Sequence, residues 1–139
     1  MTGRLDQALS TIDETIGLVE RNGDLFNMPE LLRIKGNFLA LGADTHQAEE
    51  CFLHSLELAA QQAAPSWELR TTTSLARLWL KQERRDESRK ALTRIYARFS
   101  EGFGTADLKA AKRLLGDMGV PATFFQSPRE AGPVGYPSQ

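Results

Sequence analysis

The sequence repeats itself weakly when it is shifted by 40 residues. Small residues then align with small ones, and large apolar residues align with large apolar ones. The aligned sets are Ala8, Ala48 and Ser88; Ile12, Phe52 and Leu92; Ile16, Leu56 and Tyr96; Leu39 and Trp79; and Gly36 and Ala76. A small residue lets two helices approach closely, and a large residue fills the space beside it. A repeat of this length predicts stacked helical hairpins.

Within each repeat the apolar residues recur at steps of three and four, which is the period of a helix. No stretch alternates as a strand would, so the predicted class is all-α, with about six helices. Asn27, Asp44, Ser66 and Thr105 are the predicted N-caps. The predicted helices span 4–21, 28–41, 44 to the break at 63–65, 66–82, 86–99 and 105–118.

The helix predicted at 66–82 is the centre of the domain. Leu69, Ala76 and Trp79 form one apolar stripe, and Leu75 and Leu78 widen it. A helix that is apolar on more than one side usually packs between neighbours. We therefore expect the flanking segments to cover it.

Residues 119–139 differ in composition from the rest, with four prolines, three glycines and no helical period. Such a segment buries too little apolar surface to order itself. The predicted organisation is a helical domain over 1–118 and a disordered tail over 119–139. Phe124 and Phe125 are the main apolar residues of that tail.

The composition argues against several classes of protein. No 18-residue apolar run is present, so no membrane span is predicted, and the start MTGRLDQALS lacks the layout of a secretory signal. Cys51 is the only cysteine, which excludes an intrachain disulfide and favours the cytoplasm. Residues 1–64 hold 4 basic and 10 acidic side chains, whereas residues 65–139 hold 13 and 8. This asymmetry indicates an acidic partner, a nucleic acid, or simply two solvated faces.

The repeated units resemble the tetratricopeptide repeat. A small residue flanked by large ones, as in its first helix, and small, large and small residues, as in its second, both occur. The matching residues are Leu32, Gly36 and Leu39; Leu75, Ala76 and Trp79; and Ala48, Phe52 and Ser55. The resemblance implies a right-handed superhelix of antiparallel helical hairpins. The period departs from the usual length of about 34 residues, and Lys35 and Ala60 replace the usual apolar residue and proline.

A narrower resemblance covers residues 1–118. The runs QAEECFLHSLELA, SWELRTTTSLARLW and EGFGTADLKAAKRLL are similar to the C-terminal repeat region of large bacterial signalling proteins. Those proteins carry an ATPase module, often with an adenylate or guanylate cyclase domain or a DNA-binding regulator domain. The resemblance implies a non-catalytic protein–protein or interdomain interaction module in signalling or transcriptional regulation. The chain begins on the second helix of a hairpin, which predicts a fragment. The unpaired helix is expected either to form a homodimer or to dock on missing upstream sequence.

Catalytic residues and cofactors are not predicted. The sequence has no Gly-rich phosphate loop ending in Lys-Ser or Lys-Thr and no paired metal-binding aspartates. The alternative, part of a cyclase or ATPase, therefore rests on the resemblance alone. His46, Glu50 and His54 share a helix face, but the outer two are about 12 Å apart by helix rise, too far for one metal ion. The solvated face is the preferred interpretation.

The basic run over 77–98 leaves a further alternative open. Arg85, Arg89, Arg94 and Arg98 follow helical spacing and would form a stripe. Nucleic-acid binding would also need aromatic platforms or a recognition helix, and neither is evident. A solvated face, or docking to an acidic neighbour, fits the run better than a DNA-contacting regulator.

The predicted binding site follows from the tetratricopeptide resemblance. In that class the first helix of each hairpin lines the concave surface, which would bring together Arg33, Asn37, Arg70, Thr73 and Arg77. Arg33 and Asn37 resemble the basic-then-Asn pair with which some such domains hold a peptide carboxylate. Guanidinium forks and a neutral amide suit an acidic group. The expected partner is a protein or peptide segment with acidic residues.

Overall fold

The computed structural model describes residues 2–125, and this part of the chain folds entirely into helices and their connections, with no strand. The all-α prediction is therefore confirmed. The helices are α1 (Thr2–Asn22), α2 (Met28–Leu41), α3 (Thr45–Gln61), α4 (Pro65–Lys81), α5 (Arg85–Tyr96), α6 (Ala106–Asp117) and α7 (Ala122–Phe125).

Two of the predicted N-caps make the expected hydrogen bond. Asp44 Oδ1 accepts from the Gln47 backbone N–H at 3.0 Å, and Thr105 Oγ1 accepts from the Leu108 N–H at 3.4 Å. Each bond satisfies one of the unpaired donors at a helix start. Asn27 precedes α2, but its side chain makes no capping bond.

Two helix ends differ from the sequence-based boundaries. The helix α4 begins at Pro65, with Ala64 in the N-cap position, rather than at the predicted cap Ser66. Proline suits the first turn of a helix, because backbone N–H groups there have no carbonyl partner within the helix and proline has no N–H to satisfy. The helix α5 ends at Tyr96 instead of Phe99, and a turn follows.

The helix α4 is the centre of the core, as predicted, and contributes to two clusters of buried residues. The first core cluster joins α4 to α5, α6 and α7 and consists of Leu69, Ala76, Leu92, Ile95, Tyr96, Leu108, Ala111, Leu114, Leu115, Met118 and Phe125. The second core cluster joins α4 to α2 and α3 and consists of Leu39, Ala48, Phe52, Leu75 and Leu78. Opposite sides of one helix thus hold the two halves of the domain together.

Each helix from α1 to α5 contacts the next one along the chain. In addition, α2 contacts α4, and α4 contacts α6. These three alternate helices therefore form one layer, with α3 and α5 packed against it. This layer positions the residues that were predicted to bind a partner.

The helix α1 packs on α2. Ile12 is buried in this contact region, and the Lys35 Nζ lies 2.8 Å from Asp13 Oδ1. Leu5 lies so close to Gly42 that a Cβ on the glycine would be 3.1 Å from the leucine methyl. One side of α1 is thus already covered within the chain, and the homodimer through α1 stays a prediction.

The packed chain continues beyond the predicted domain boundary at residue 118. Phe125 in α7 is 7% exposed, and its ring lies edge-on to Tyr96 at 5.6 Å between centroids. Phe124 lies 6.0 Å from the same ring. Residues 119–125 thus belong to the domain, because two aromatic rings there close the end of the first core cluster. The rest of the predicted tail lies outside the described residues.

Candidate functional site

Arg33 and Arg70, two of the predicted site residues, meet at Glu30. Arg33 forms a two-pronged pair with this carboxylate at 3.0 and 2.6 Å, and Arg70 Nη1 reaches it at 3.4 Å. Arg70 also holds Asp107 of α6, with Nη2 2.9 Å from Oδ2. We call Glu30, Arg33, Arg70 and Asp107 the ionic cluster. It ties α2, α4 and α6 together.

The ionic cluster contains two cations and two carboxylates, so its formal charge is zero. Burial raises the pKa of Glu30, but the hydrogen bonds and charges of Arg33 and Arg70 outweigh burial, and the pKa lies below its ordinary value. Asp107 raises the pKa of Arg70. The guanidinium groups of Arg33 and Arg70 are therefore occupied within the chain. They differ in this from the open forks that the sequence predicted.

Thr73 does not belong to an open groove. It is 5% exposed, and its Oγ1 donates a hydrogen bond to the Leu69 carbonyl one turn earlier, at 2.9 Å. This bond satisfies the hydroxyl inside its own helix. The sequence-based assignment of Thr73 to the binding surface is corrected accordingly.

Asn37 and Arg77, the other two predicted residues, lie together. They line a cleft of about 240 Å³ between α2 and α4, which we call the α2–α4 cleft. The remaining lining residues are Ala40, Leu41, Ser74, Leu78 and Lys81. No acidic residue is among them, and within residues 2–125 neither Arg77 nor Lys81 makes an ion pair. Two available cations, an amide and a hydroxyl therefore face one small cleft.

Leu41 adds an apolar element to the α2–α4 cleft. It is 73% exposed at the last position of α2. A segment bound in the cleft would cover this apolar side chain, and removing apolar surface from water is favourable. The arrangement suits a segment that carries an acidic group next to an apolar side chain.

The histidine-containing face predicted on α3 is solvated. His46 Nε2 lies 3.4 Å from Glu50 Oε2, and both side chains are well exposed. Among the described residues, no group of three or more His, Cys, Asp or Glu side chains lies close enough to hold a metal ion. Burial raises the pKa of the Cys51 thiol, which keeps it protonated and poorly nucleophilic.

Three of the eight cations in the basic run over 77–98 are paired with acidic side chains. Arg84 contacts Glu49 and Glu87. The two further pairs are Arg89 with Asp86, and Arg98 with Glu68. These contacts reduce the positive field that a phosphate backbone would meet.

A larger cleft lies between α3 and α5, with α4 as its floor, and the sequence did not predict it. We call it the α3–α5 cleft; its volume is about 740 Å³. Its lining residues are Leu53, His54, Leu56, Glu57, Ala60, Glu68, Thr72, Leu75, Trp79, Ala91, Arg94, Ile95 and Arg98. The signal that could have revealed it is a second apolar stripe on α3, formed by Leu53, Leu56 and Ala60.

Comparison with known proteins identifies no relative: no family model matches the sequence, and no curated protein and no solved structure matches it. A search for candidate membrane spans finds none among the helices of residues 2–125. The functional argument therefore rests on the residues and their geometry.

Proposed function

We propose that this chain is a non-catalytic interaction module that holds an acidic segment of another protein, or of a neighbouring domain, in the α2–α4 cleft. The observation that carries the proposal is that four residues line the same cleft. They are two cations without an ion pair among the described residues, Arg77 and Lys81, the amide of Asn37, and the exposed Leu41. Charged donors of this kind recognise carboxylates, and the adjacent apolar side chain adds contact area.

The tetratricopeptide-like superhelix is part of this proposal. The contacts of α2 with α4 and of α4 with α6 support it, because stacked hairpins bring their first helices together. The burial of Gly36, Ala48, Ala76 and Ser88 supports it as well, since these small residues occupy repeat-equivalent positions. The narrower resemblance adds the proposal of a cytoplasmic bacterial signalling or transcription-regulating protein in which this region is C-terminal.

Protein binding is favoured over the two alternatives. The ion pairs along the basic run reduce its suitability for nucleic acid. For a cyclase or ATPase, the described residues offer no assembled metal site, and only the resemblance speaks for it. We therefore place the function in the α2–α4 cleft, where Arg77 and Lys81 of the basic run make no ion pair within the described part of the chain, and not in a nucleic-acid contact along the whole run.

A peptide titration tests the proposal. The probe is a short fluorescein-labelled peptide of glutamate and leucine with a free C-terminal carboxylate, and its counterpart carries lysine for every glutamate. Fluorescence anisotropy should show binding of the acidic probe only. The double variant Arg77→Ala/Lys81→Ala should bind it about 5–30-fold more weakly, which corresponds to about 1–2 kcal/mol for two partly exposed contacts.

The matched control is Lys109→Ala/Arg113→Ala, which removes an exposed lysine and an exposed arginine at the same spacing from α6. It should leave binding unchanged. Added salt should weaken binding of the acidic probe to the wild type, because the attraction is largely Coulombic. Equal losses in the two double variants would show a general charge effect and would remove the site from the α2–α4 cleft.

A further inference from the structure

The α3–α5 cleft is a second surface, on a different side of α4 from the α2–α4 cleft. Leu75 and Trp79 of α4 form part of its floor, and Leu56 of α3 and Ile95 of α5 stand on its walls. Leu53 on the α3 wall is 47% exposed. Trp79 is only partly buried, because part of its side chain lines the cleft instead of packing against a neighbouring helix. The cleft is thus an apolar trough that the described chain leaves open.

The dimensions of the trough fit a helix. Its floor runs along α4 from Glu68 to Trp79, which is about 16 Å by the rise of a helix, or about three turns. Its walls are two further helices that flank α4. A helix laid between them would present side chains at the i, i+3, i+4 and i+7 positions to the floor, as in other helix-in-groove complexes.

An extended peptide fits the trough less well than a helix. An extended chain needs partners for its backbone N–H and C=O groups. The walls and the floor are helices, whose backbone groups are already paired within each helix. A helix satisfies its own backbone and can cover the apolar floor without that cost.

The two walls differ in charge. The α5 wall carries Arg94, and the α3 wall carries Glu57. Neither side chain makes an ion pair within residues 2–125. Arg98, also on the α5 side, pairs with Glu68 at 2.8 Å and closes one end. The available charge on the α5 side is therefore positive, and a ligand that matches it must carry acidic residues along that edge.

From this geometry we infer that the α3–α5 cleft binds an amphipathic helix of another protein, with an apolar stripe on the floor and acidic residues along the edge that faces Arg94 of α5. The apolar stripe covers Leu53, Leu75 and Trp79, and the acidic edge pairs with Arg94. This site is separate from the α2–α4 cleft and does not depend on its being occupied.

The test uses a designed peptide and the intrinsic fluorescence of Trp79. The chain contains two tryptophans, so a Trp67→Phe background leaves Trp79 as the reporter. The probe is a synthetic helix with a leucine stripe, glutamates along one edge and glutamines along the other. The comparison probe has lysine for every glutamate. The glutamate probe should shift the Trp79 emission saturably and bind about tenfold more tightly than the lysine probe.

Two variants in the cleft separate the apolar and the charged contributions. Leu53→Glu should weaken binding of the glutamate probe about tenfold or more, because it places a charge in the apolar contact. Arg94→Glu should weaken it about five- to tenfold and should improve binding of the lysine probe. Both side chains are exposed, so thermal unfolding should be nearly unchanged. The gain for the lysine probe is a result that a damaged fold would not produce.

Lys90→Glu is the matched control, since it makes the same charge change on α5 at a residue outside the cleft lining. It should leave both probes almost unaffected. An equal loss from Lys90→Glu and Arg94→Glu would overturn the inference. So would the absence of a saturable signal with the glutamate probe, or a self-association of the chain that Leu53→Glu abolishes, because the occupant would then be a second copy.

Discussion

The hairpins α2–α3 and α4–α5 are repeat-equivalent, yet they solve the same packing problem with different pairs of residues. In the first hairpin Gly36 faces the ring of Phe52, and a Cβ on the glycine would lie 2.5 Å from the ring. The equivalent residues of the second hairpin are Ala76 and Leu92, and both are fully buried. A missing methyl group on one helix is thus matched by a larger side chain on the other. The repeat therefore preserves the total side-chain volume where the two helices of a hairpin meet, while the sizes of the individual residues differ between the hairpins.

Removal of the large partner should have the greatest effect on this arrangement. Phe52→Ala should lower the free energy of unfolding by about 3–5 kcal/mol, because the ring is fully buried in the second core cluster. Chemical denaturation followed by circular dichroism measures the loss. Leu53→Ala, at the next position of the same helix, should cost far less, because that side chain is half exposed. A similar loss in both variants would contradict the assigned role of Phe52.

Exchange of the residue pairs tests the size complementarity directly. Gly36→Ala should destabilise by about 1–3 kcal/mol despite the better helix propensity of alanine, because the added methyl group collides with Phe52. Combined with Phe52→Leu, it recreates the pair found in the second hairpin. The double variant should therefore lose less stability than the two single variants added together.

A double-mutant cycle in denaturant measures this coupling. Gly17→Ala is a suitable control, because a Cβ there meets only the flexible end of Arg21, at 3.4 Å. It should be neutral or slightly stabilising through helix propensity. Strict additivity of Gly36→Ala and Phe52→Leu would show that the two positions do not compensate for each other.

The ionic cluster also joins two equivalent positions of the repeat. Glu30 and Arg70 are 40 residues apart in the sequence, carry opposite charges and form an ion pair. Because the pKa of Glu30 in the folded chain lies below its ordinary value of 4.5, its carboxylate stabilises the fold above that value. This contribution is lost as the pH falls through the pKa of the folded state. Glu30→Gln should therefore reduce stability by about 1 kcal/mol near neutral pH, and by progressively less as the pH falls below 4.5.

The measurement is the free energy of unfolding of both proteins across that pH range. Glu20→Gln provides a control, since this exposed residue makes no ion pair within residues 2–125. The difference between Glu30→Gln and the wild type should narrow on acidification. A difference that stays constant with pH would show that the Glu30 charge is not what stabilises the cluster.

Much of the fold could be predicted from the sequence, because helical period and local capping are encoded within a few residues. The central position of α4 followed from its wide apolar stripe, and the cap at Asp44 followed from its side chain. The ends near Ser66 and Phe99 did not, because several neighbouring residues can begin or end a helix at little cost. The packing of Phe125 depends on Tyr96, which lies far away in the sequence.

The site was less predictable than the fold. The tetratricopeptide resemblance indicated that Asn37 and Arg77 share a surface, but not that Arg70, assigned to the same surface, already binds Asp107. Such pairing depends on how far α6 reaches across α4. The α3–α5 cleft was missed for a related reason: an apolar stripe on α3 shows that Leu53 is available for contact, but it does not show which gap between helices stays open.

The smallest predicted effect concerns the turns that end the helices. Ala63, after α3, has a φ of 52°, in the left-handed region, and the next N–H closes the turn by donating to the Ala59 carbonyl at 2.9 Å. Alanine in this conformation costs about 1–2 kcal/mol, whereas glycine adopts it freely but increases the entropy of the unfolded chain. Ala63→Gly should therefore stabilise the domain by about 0.5 kcal/mol.

Gly23, after α1, has a φ of 74°, and a Cβ on it would meet no atom within 4 Å, so Gly23→Ala should cost about 1 kcal/mol for purely conformational reasons. Thermal unfolding of the two variants should shift in opposite directions, and a loss of stability in Ala63→Gly would show that the alanine methyl group contributes more by contact than its backbone conformation costs.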